Sequence, residues 1–347
     1  MLTQFKRKVI LWISIAAFIV LMPVVMLYAL GYRLDDTWQL RKTGGINITS
    51  DITGSEIFLN GQLKKTTNLL QKDVFIDNLA PGKYEIQVLA NGYLPWVKKL
   101  EVFSQLVTEV RPLLIPSDSN LEIILRGQFS ELRASPYDSL VYLSEEKDNE
   151  KILRWFLPKT REFLSDTGPL LKYKKSFELV RWLPGGAVFN IDGKVRRVLF
   201  NLGKRTVSAV PIGDESPLKN GEELAQVFEK NDPRDAVQLK YSPSDKNMEA
   251  TWIAETIRPH YFSSTTETLI LNKTFRNFDF FPERRDAVIA AYDNGVWAIE
   301  IDSRGGRLII PIYKGKNPDF ILLPDSRNIY ILDDRILIEV SPFAKNR

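Results

Sequence analysis

The sequence contains no cysteine and a single histidine, His260. Without cysteine a chain has no disulfide framework, no thiolate metal site and no cysteine nucleophile. One histidine leaves little material for a zinc site or for acid–base catalysis. We therefore expect no metal and no cofactor, and we disfavour the enzyme classes that depend on them.

The chain also lacks a basic excess on its body. Its 347 residues carry 47 lysines and arginines against 43 aspartates and glutamates, a formal net charge of +4. Lys6, Arg7 and Lys8 supply three of these four charges. A nucleic-acid-binding protein normally carries its basic excess on the folded part, so no nucleic-acid partner is expected. Hydrophobic residues at 44% and charged residues at 26% are ordinary for a globular protein and exclude a multi-pass membrane protein.

One long hydrophobic run is present. Residues 9–30 contain no charge, and a helix of 22 residues spans about 33 Å, enough for the ~30 Å hydrocarbon core of a bilayer. We predict a transmembrane helix over 9–31 that contacts membrane lipid. The triplet Lys6, Arg7 and Lys8 predicts, by the positive-inside rule, a cytoplasmic tail of residues 1–8. The rest of the chain then lies outside the plasma membrane, with residues 32–43 as a polar linker.

Two alternatives to an uncleaved anchor remain open. A cleaved signal peptide is one, because residues 29–31 read Ala-Leu-Gly and offer a small-x-small site. The apolar region of a signal peptide is usually 7–15 residues long, however, and this run is far longer. A buried core helix is the other, although the run has no amphipathic face. We favour the anchor.

A strand-rich texture follows over residues 44–116. Apolar residues alternate with polar ones in short runs, which is the period of half-buried strands. Asn60-Gly61 predicts a type I′ hairpin turn, and Pro81-Gly82 a tight turn in which glycine adopts positive φ without steric cost. About six short strands in this length favour a small β-sandwich.

This segment resembles the PEGA domain family. The resemblance rests on GSEIFLNG at 54–61 and LAPGKYEIQVLANGYLPWVKKLEV at 79–102. The residues that keep the family pattern are Pro81, Gly82, Tyr84, Gly92, Tyr93 and Trp96, whereas the acidic residue and the final alanine of the family's turn are missing. GYRLDD after the hydrophobic run also resembles envelope proteins of small-genome bacteria that carry this domain. The resemblance implies an extracytoplasmic binding module without catalytic residues.

Tyr93, Pro95 and Trp96 have two interpretations. Aromatic faces next to a proline suit carbohydrate stacking, and this would make the cluster a glycan site. Aromatic residues of this size more often pack the edge of a small core. We favour packing.

The remainder, residues 121–342, carries a weak five-fold repeat. Each copy has an alternating strand, a proline, a polar turn and an apolar strand; the prolines are Pro136, Pro184, Pro243, Pro282 and Pro324. The prolines are 48, 59, 39 and 42 residues apart, and apart from the long second interval this matches the ~40–50 residues typical of four-stranded propeller blades. We predict a β-propeller-like domain of about five blades, loosely similar to TolB or WD40-like propellers, followed by a short tail at 343–347. Residues 121–125 are predicted to complete the final blade; an irregular pair of β-sandwiches is the rival.

Residues 221–230, GEELAQVFEK, interrupt the repeat. Leu224, Val227 and Phe228 fall at helical spacing, with acidic residues first and a lysine last, which suits a helix dipole. We predict a helix inserted between blades, with Leu224 and Phe228 as candidate contacts for a partner.

Catalytic patterns are weak throughout. No serine lies in a G-x-S-x-G elbow that could use His260. Adjacent acidic pairs, such as Asp333-Asp334, point to opposite faces of a strand and cannot easily converge on one bond. The glycine pairs Gly44-Gly45, Gly185-Gly186 and Gly305-Gly306 are interpreted as hairpin turns, since none precedes a helix as a phosphate loop would.

The sequence thus favours a mainly β, membrane-anchored, extracytoplasmic binding or scaffold protein of the bacterial cell envelope without enzymatic activity. Its expected partners are an envelope protein or a cell-wall glycan. Two other hypotheses stay open. One is a hydrolase that acts on wall polymer through carboxylates of the propeller funnel, and the other is a sensor subunit that needs a membrane partner.

Overall fold

The structure of the protein is a computed structural model. It describes residues 4–34, 38–118, 120–147, 150–166, 172–173, 177–211, 229–231, 237–242, 244–253, 258–259, 261–262, 264–271, 275–324 and 326–343. The chain divides into two compact units. Unit 1 comprises Met1–Leu114 with Arg304–Gly306, and unit 2 comprises Ile115–Ser303 with Arg307–Arg347. The described residues are mainly strand, with one helix.

Helix α1 runs from Gln4 to Ala29 and contains Pro23. Its segment Lys8–Ala29 is long and apolar enough to cross a membrane, and none of it is buried inside the protein. The helix ends where Gly31 takes a φ of 77°, the left-handed conformation that glycine adopts readily after a helix C-terminus. The hydrophobic run is therefore a helix whose apolar span is not buried by any other part of the chain that the structure describes.

The predicted linker contains regular structure. Strands β1 (Tyr32–Leu34) and β2 (Leu40–Lys42) pair antiparallel, with Arg33 opposite Arg41. Strands of three residues are too short to show an alternating period, and this explains why the sequence indicated only a polar connection. Asp35 and Asp36 lie outside the described residues.

The rest of unit 1 is a β-sandwich of seven strands. Three strands form one sheet in the order β6-β3-β9, and four form the other in the order β5-β4-β7-β8. Their bounds are β3 (Gly44–Thr49), β4 (Glu56–Leu59), β5 (Gln62–Thr66), β6 (Asp73–Leu79), β7 (Gly82–Leu89), β8 (Trp96–Val102) and β9 (Val107–Val110). Buried side chains from both sheets, including Ile46, Ile57 and Ile86, form the core between them.

Two turn predictions in this domain have opposite outcomes. Asn60 and Gly61 have φ values of 49° and 78° and join β4 to β5 as the predicted type I′ hairpin requires. The turn predicted at Gly44-Gly45 is wrong, because both residues begin strand β3. A Cβ atom on Gly44 would meet the backbone carbonyl oxygen of Phe103. Glycine is needed there for close approach of two backbones rather than for a turn.

Unit 2 consists of five antiparallel-based sheets in the described residues. Their orders are β11-β12-β13-β14 with β16 beside β13, β15-β20-β19-β18-β17, β21-β22-β23-β24, β25-β26-β27-β28 and β10-β31-β30-β29. Each of the first four sheets contains a meander of four antiparallel strands, to which β16 is added in the first sheet and β15 in the second, and the last sheet consists of three such strands and β10. This succession is β-propeller-like.

The strand bounds of unit 2 follow the chain. They are β10 (Asn120–Arg126), β11 (Phe129–Ala134), β12 (Val141–Lys147), β13 (Glu150–Leu157), β14 (Glu162–Phe163), β15 (Ser165–Asp166), β16 (Lys172–Tyr173), β17 (Phe177–Leu183), β18 (Gly186–Ile191), β19 (Lys194–Asn201) and β20 (Thr206–Pro211). The second half comprises β21 (Glu229–Asn231), β22 (Val237–Ser242), β23 (Asn247–Trp252), β24 (Thr266–Ile270), β25 (Asn277–Phe280), β26 (Ala287–Tyr292), β27 (Gly295–Glu300), β28 (Ile309–Lys314), β29 (Asp319–Leu322), β30 (Ile329–Asp333) and β31 (Ile336–Ser341).

The first strand of unit 2 completes its last sheet. Strand β10 pairs antiparallel with β31, with Leu121 opposite Val340 and Ile123 opposite Ile338. This is the pairing that the sequence predicted for residues 121–125. It removes the edge that β31 would otherwise expose.

The third sheet departs from the predicted repeat. In the other four sheets the proline segment joins the first and second strands of the meander, whereas here it joins β22 to β23, the second and third. The extra inner strand is β21, and it includes Glu229 and Lys230. These two residues were predicted to end the inserted helix, and that part of the prediction is wrong. The rest of the predicted helix, like Pro243, lies outside the described residues.

Candidate functional site

One end of the sandwich gathers the helix terminus and three loops. Strand β3 starts there at Gly44, which pairs with Leu79, and Gly82 pairs with Val102 at the same end. The β1–β2 hairpin, the turn 80–82 and the loop 103–106 therefore lie together beside residues 28–31. We call this set of segments the helix-end face.

Hydrogen bonds tie α1 to the helix-end face. The side-chain amide of Gln105 donates to the carbonyl oxygen of Leu30 at 2.7 Å. The backbone N–H of Thr43 donates to the carbonyl oxygen of Gly31 at 2.9 Å, and that of Gln105 to the carbonyl oxygen of Thr43 at 2.8 Å. The unpaired carbonyl groups at the end of a helix need such donors, so the sandwich itself caps α1.

Arg33 strengthens the same junction. Its guanidinium lies over the ring of Tyr28, 3.5 Å from the centroid. It donates to the carbonyl oxygen of Tyr28 at 2.8 Å and to the side-chain oxygen of Asn78 at 2.7 Å. One side chain thus contacts the helix and strand β6, and this combination needs the planar, multi-donor group of arginine.

Large apolar side chains are exposed on the helix-end face. Trp38 is 84% exposed, Phe103 52% and Leu106 59%. Leu40 and Val107 are also exposed beside them. Soluble domains seldom cluster such residues without an interaction to use them, so this face is the first candidate functional surface.

The six family-pattern residues divide between the two ends of the sandwich. Pro81, Gly82 and Tyr84 belong to the helix-end face, where the Tyr84 hydroxyl donates to the carbonyl oxygen of Ala80 at 2.9 Å and holds the turn. Gly82 has a φ of 155°, which favours glycine. The structure therefore does not bring the six residues into one site.

The other three residues lie at the far end of the sandwich. Trp96 pairs with Val88 there and is 2% exposed, so it packs in the core as the packing interpretation expects. Tyr93 is half-buried and Gly92, with a φ of 80°, is exposed in the preceding turn. That Tyr93 contacts a ligand stays a prediction, but the buried ring of Trp96 has no exposed face to stack on that ligand.

The remaining predicted residues are partly described. Lys6, Arg7 and Lys8 lie within α1, and Lys8 is exposed. Leu224, Phe228 and His260 lie outside the described residues.

A second candidate surface follows the inner strands of unit 2. Strand β29 lies close to β11 and β25, and β21 lies close to β25. Asp319 on β29 accepts a hydrogen bond from Asn277 at 3.0 Å and one from Arg133 at 3.1 Å. Lys230 on β21 pairs with Asp279 on β25 at 3.5 Å. We call these five residues the inner-strand cluster.

No motif in the sequence singled out the inner-strand cluster. Its signal is an Asp-Phe pair ahead of the proline in each of the last two repeats, Asp279-Phe280 three residues before Pro282 and Asp319-Phe320 five residues before Pro324. In each pair the aspartate accepts a hydrogen bond at 2.8 Å from the N–H of the following phenylalanine. The cluster joins neighbouring sheets and exposes alternating charge, which suits a polar partner rather than a reaction.

Buried charges in unit 2 have structural partners. Arg284 and Asp286 form a two-fold hydrogen-bonded ion pair at 2.9 and 2.7 Å, with both side chains almost fully buried. The Tyr261 hydroxyl donates to Asp286 at 3.2 Å, and burial raises the pKa of Tyr261 well above its usual value. Among the residues described, no group of three or more potential ligands could hold a metal ion.

Comparison with known proteins places a family name on part of unit 1. Residues 43–115 match the PEGA domain. This range coincides with the sandwich and confirms the resemblance read from the turn and the Gly-Tyr pair. No curated protein sequence matches the chain.

Solved structures similar to the chain are distant in sequence. The β-propeller domain of Cps50 (Swd1) from Myceliophteria thermophila is 8% identical, with a TM-score of 0.36, over 65% of this chain and 100% of that one. Hsv2p from Kluyveromyces lactis is 7% identical, with a TM-score of 0.25, over 75% and 72%. An uncharacterized protein from Listeria monocytogenes is 11% identical, with a TM-score of 0.21, over 75% and 76%. The β-propeller-like description of unit 2 rests on its own strand order.

Proposed function

We propose that this protein is a membrane-anchored, non-enzymatic binding protein of the bacterial cell envelope. Helix α1 is the anchor, the PEGA domain is the membrane-proximal module, and unit 2 presents a surface to an envelope protein or a wall glycan. The bulk of the chain lies on the extracytoplasmic side.

The observation that carries the proposal is the exposure of α1. Twenty-two consecutive residues, Lys8–Ala29, form an apolar helix of which no part is buried inside the protein. Apolar surface of this extent is unfavourable in water at roughly 25 cal/mol per Å². Its end is nevertheless held by the PEGA domain through Gln105 and Thr43. A helix in this position needs a lipid environment.

The inner-strand cluster supports a binding role for unit 2. Its charged pairs lie between different sheets rather than within one, as in Lys230–Asp279 and Arg133–Asp319. Surface ion pairs of this kind contribute little to stability, about 0–1 kcal/mol each. Their arrangement is better suited to recognition of a polar surface.

Anchorage is tested by expressing the full chain in a bacterial host, isolating the membranes and extracting the protein from them. We expect the protein to stay in the pellet after an alkaline wash, to be released by detergent, and to keep its intact N-terminus by mass spectrometry. As a matched control, Ile19→Arg with Val20→Arg places two charges at the helix centre, at about 2.5–3.5 kcal/mol each, and should release the chain. A mature chain that begins after Gly31 would show a cleaved signal peptide instead.

Partner identity is tested by cross-linking on intact cells and by pull-down on purified wall glycan. Arg133→Ala with Lys230→Ala should reduce capture, whereas Lys64→Ala with Lys65→Ala in unit 1 should not. Release of soluble fragments from wall polymer by the purified chain would favour the hydrolase hypothesis and contradict the proposal.

A further inference from the structure

We propose that the helix-end face of unit 1 lies in the lipid headgroup layer, so that the PEGA domain rests on the membrane surface through Trp38, Phe103 and Leu106. The partner is the bilayer surface itself. This inference rests on the proposed function, in which α1 crosses the bilayer.

Helix length sets the depth of the face. The span Lys8–Ala29 has 22 residues and is about 33 Å long, which fills a hydrocarbon core of ~30 Å. Leu30 and Gly31 then lie in the headgroup layer, which is about 5 to 7 Å thick on each side. Gln105 hydrogen-bonds to Leu30 and Thr43 to Gly31, so the loop 103–106 lies at the same depth.

No long linker separates the sandwich from the helix. The side-chain hydroxyl of Thr43 donates a hydrogen bond to the carbonyl oxygen of Gly31, 12 positions earlier in the chain. The two residues meet because the β1–β2 hairpin folds back between them. Gly44 follows directly and begins the sandwich, with its backbone against the carbonyl oxygen of Phe103. This close approach holds the loop 103–106 against the start of β3 at the helix end.

The chemistry of the face suits an interface between oil and water. Trp38, Phe103 and Leu106 are each more than half exposed, and tryptophan, like tyrosine, is enriched at the headgroup level. Arg33 and Lys42 stand beside Tyr28 and Tyr32, with cation–ring distances of 3.5 and 5.4 Å. Arg41 is also part of the hairpin, so the described charges of the face are basic and fit the phosphate groups of both zwitterionic and anionic headgroups.

The far end of the sandwich offers a matched reference. Leu70 is 99% exposed in the turn 68–71, just before Asp73, which pairs with Thr49 at the end of β3 opposite to Gly44. Six strand residues separate the two ends by roughly 17–20 Å. Leu70 is therefore as apolar as Leu106 and more exposed in the protein itself, but it lies outside the headgroup layer.

The experiment measures depth with nitroxide labels in the full chain. Because the chain has no cysteine, Leu106→Cys, Leu70→Cys and Ile19→Cys each give a single labelling site. The chain is reconstituted into phosphatidylcholine vesicles with and without phosphatidylglycerol. Power saturation compares collision with oxygen, which enriches in lipid, against collision with a water-soluble nickel chelate. Phe103→Cys repeats the test at a second position of the face.

We expect the labels at 106 and 103 to be several-fold less accessible to the nickel chelate than the label at 70, and more accessible than the label at 19. If the label at 19 is deep but the labels at 106 and 103 match that at 70, the proposal fails while membrane anchorage stands. If the labels at 106 and 103 are shielded from both reagents, a protein covers the face and the proposal also fails. A label at 19 that reports water would overturn the proposed function, and this inference with it.

Discussion

Burial of phenol groups is the residue-scale feature with the clearest consequence for stability. Desolvation is the largest cause that raises the pKa of Tyr142, Tyr261, Tyr292 and Tyr313, all in unit 2. For Tyr292 burial, with a smaller contribution from Tyr241, raises the pKa to about 12. A phenol that stays neutral in the folded protein ionises more readily in the unfolded chain.

We predict that unit 2 loses stability as the pH rises from about 10 towards 12. The folded pKa of Tyr292 lies above its unfolded value, so its stabilisation is complete below pH 10 and is lost as the pH passes upward through the folded pKa. A difference of about two between the folded and unfolded pKa values of one group changes the free energy of unfolding by about 2–3 kcal/mol. The slope of the free energy of unfolding against pH reports the difference in bound protons between the folded and unfolded states. In urea titrations across this range, Tyr292→Phe should reduce that difference by up to one proton and so make the slope shallower.

Tyr137→Phe is the control for that measurement. Tyr137 is 57% exposed, and its replacement should leave the slope unchanged. An identical slope for Tyr292→Phe and for the unchanged protein would mean that the Tyr292 phenol is hydrated in the fold.

At the scale of elements, unit 2 depends on a strand that comes from its own beginning. Strand β10 contributes one edge of the last sheet and pairs only with β31 in the described structure. Glu122 and Ile123 lie in its middle and are exposed. Their side chains can therefore be changed with little loss of core packing.

We predict that Glu122→Pro with Ile123→Pro opens the last sheet. Successive N–H groups of a strand point to opposite sides, so one of two adjacent prolines removes a ladder hydrogen bond whichever N–H faces β31. Loss of pairing should cost about 1–3 kcal/mol and speed hydrogen exchange of the β31 amides. Glu122→Thr with Ile123→Thr keeps both N–H groups and should exchange as the unchanged protein does; equal exchange in the two variants would contradict the pairing.

Elements with strong local signals were predictable from the sequence. The uncharged run defined α1, and Asn60-Gly61 defined the β4–β5 hairpin, because the first depends on composition and the second on φ values that few residues adopt. The closing role of residues 121–125 was predictable because the fifth repeat had one strand too few. These features need only local chemistry or a count of strands.

Features set by tertiary contact were not predictable. Gly44-Gly45 resembles a turn by composition, and only the nearby Phe103 carbonyl explains why glycine lies in a strand. Glu229 and Lys230, predicted to end a helix, lie instead in strand β21, where pairing with β22 outweighs local propensity. The inner-strand cluster joins residues as distant as Arg133 and Asp319, and the helix-end face joins Leu30 to Gln105.

For the whole molecule, orientation across the membrane depends on few charges. Lys6, Arg7 and Lys8 precede the apolar segment, whereas Arg33, Arg41 and Lys42 follow it. Only lysines and arginines within about 15–20 residues of a span influence its orientation.

We predict that Lys6→Gln, Arg7→Gln and Lys8→Gln together shift a large fraction of chains to the inverted orientation, since the remaining nearby cations then lie on the other side. Protease digestion of intact cells should degrade unit 2 of the unchanged protein and spare it in inverted chains. Lys64→Gln, Lys65→Gln and Lys72→Gln remove the same charge farther from α1 and should leave orientation unchanged. Full protection of unit 2 in the unchanged protein would sink the proposed topology.

The pairing of β10 with β31 also has a consequence for folding during synthesis. The two strands are separated by about 210 residues, which a ribosome adds in roughly 10 to 40 s at 5–20 residues per second. Throughout that interval the nascent chain contains β10 but not yet β31, the strand with which it pairs. The last sheet can be completed only after β30 and β31 have been synthesised. Until then the unpaired edge of β10 must be kept from pairing with strands of neighbouring chains.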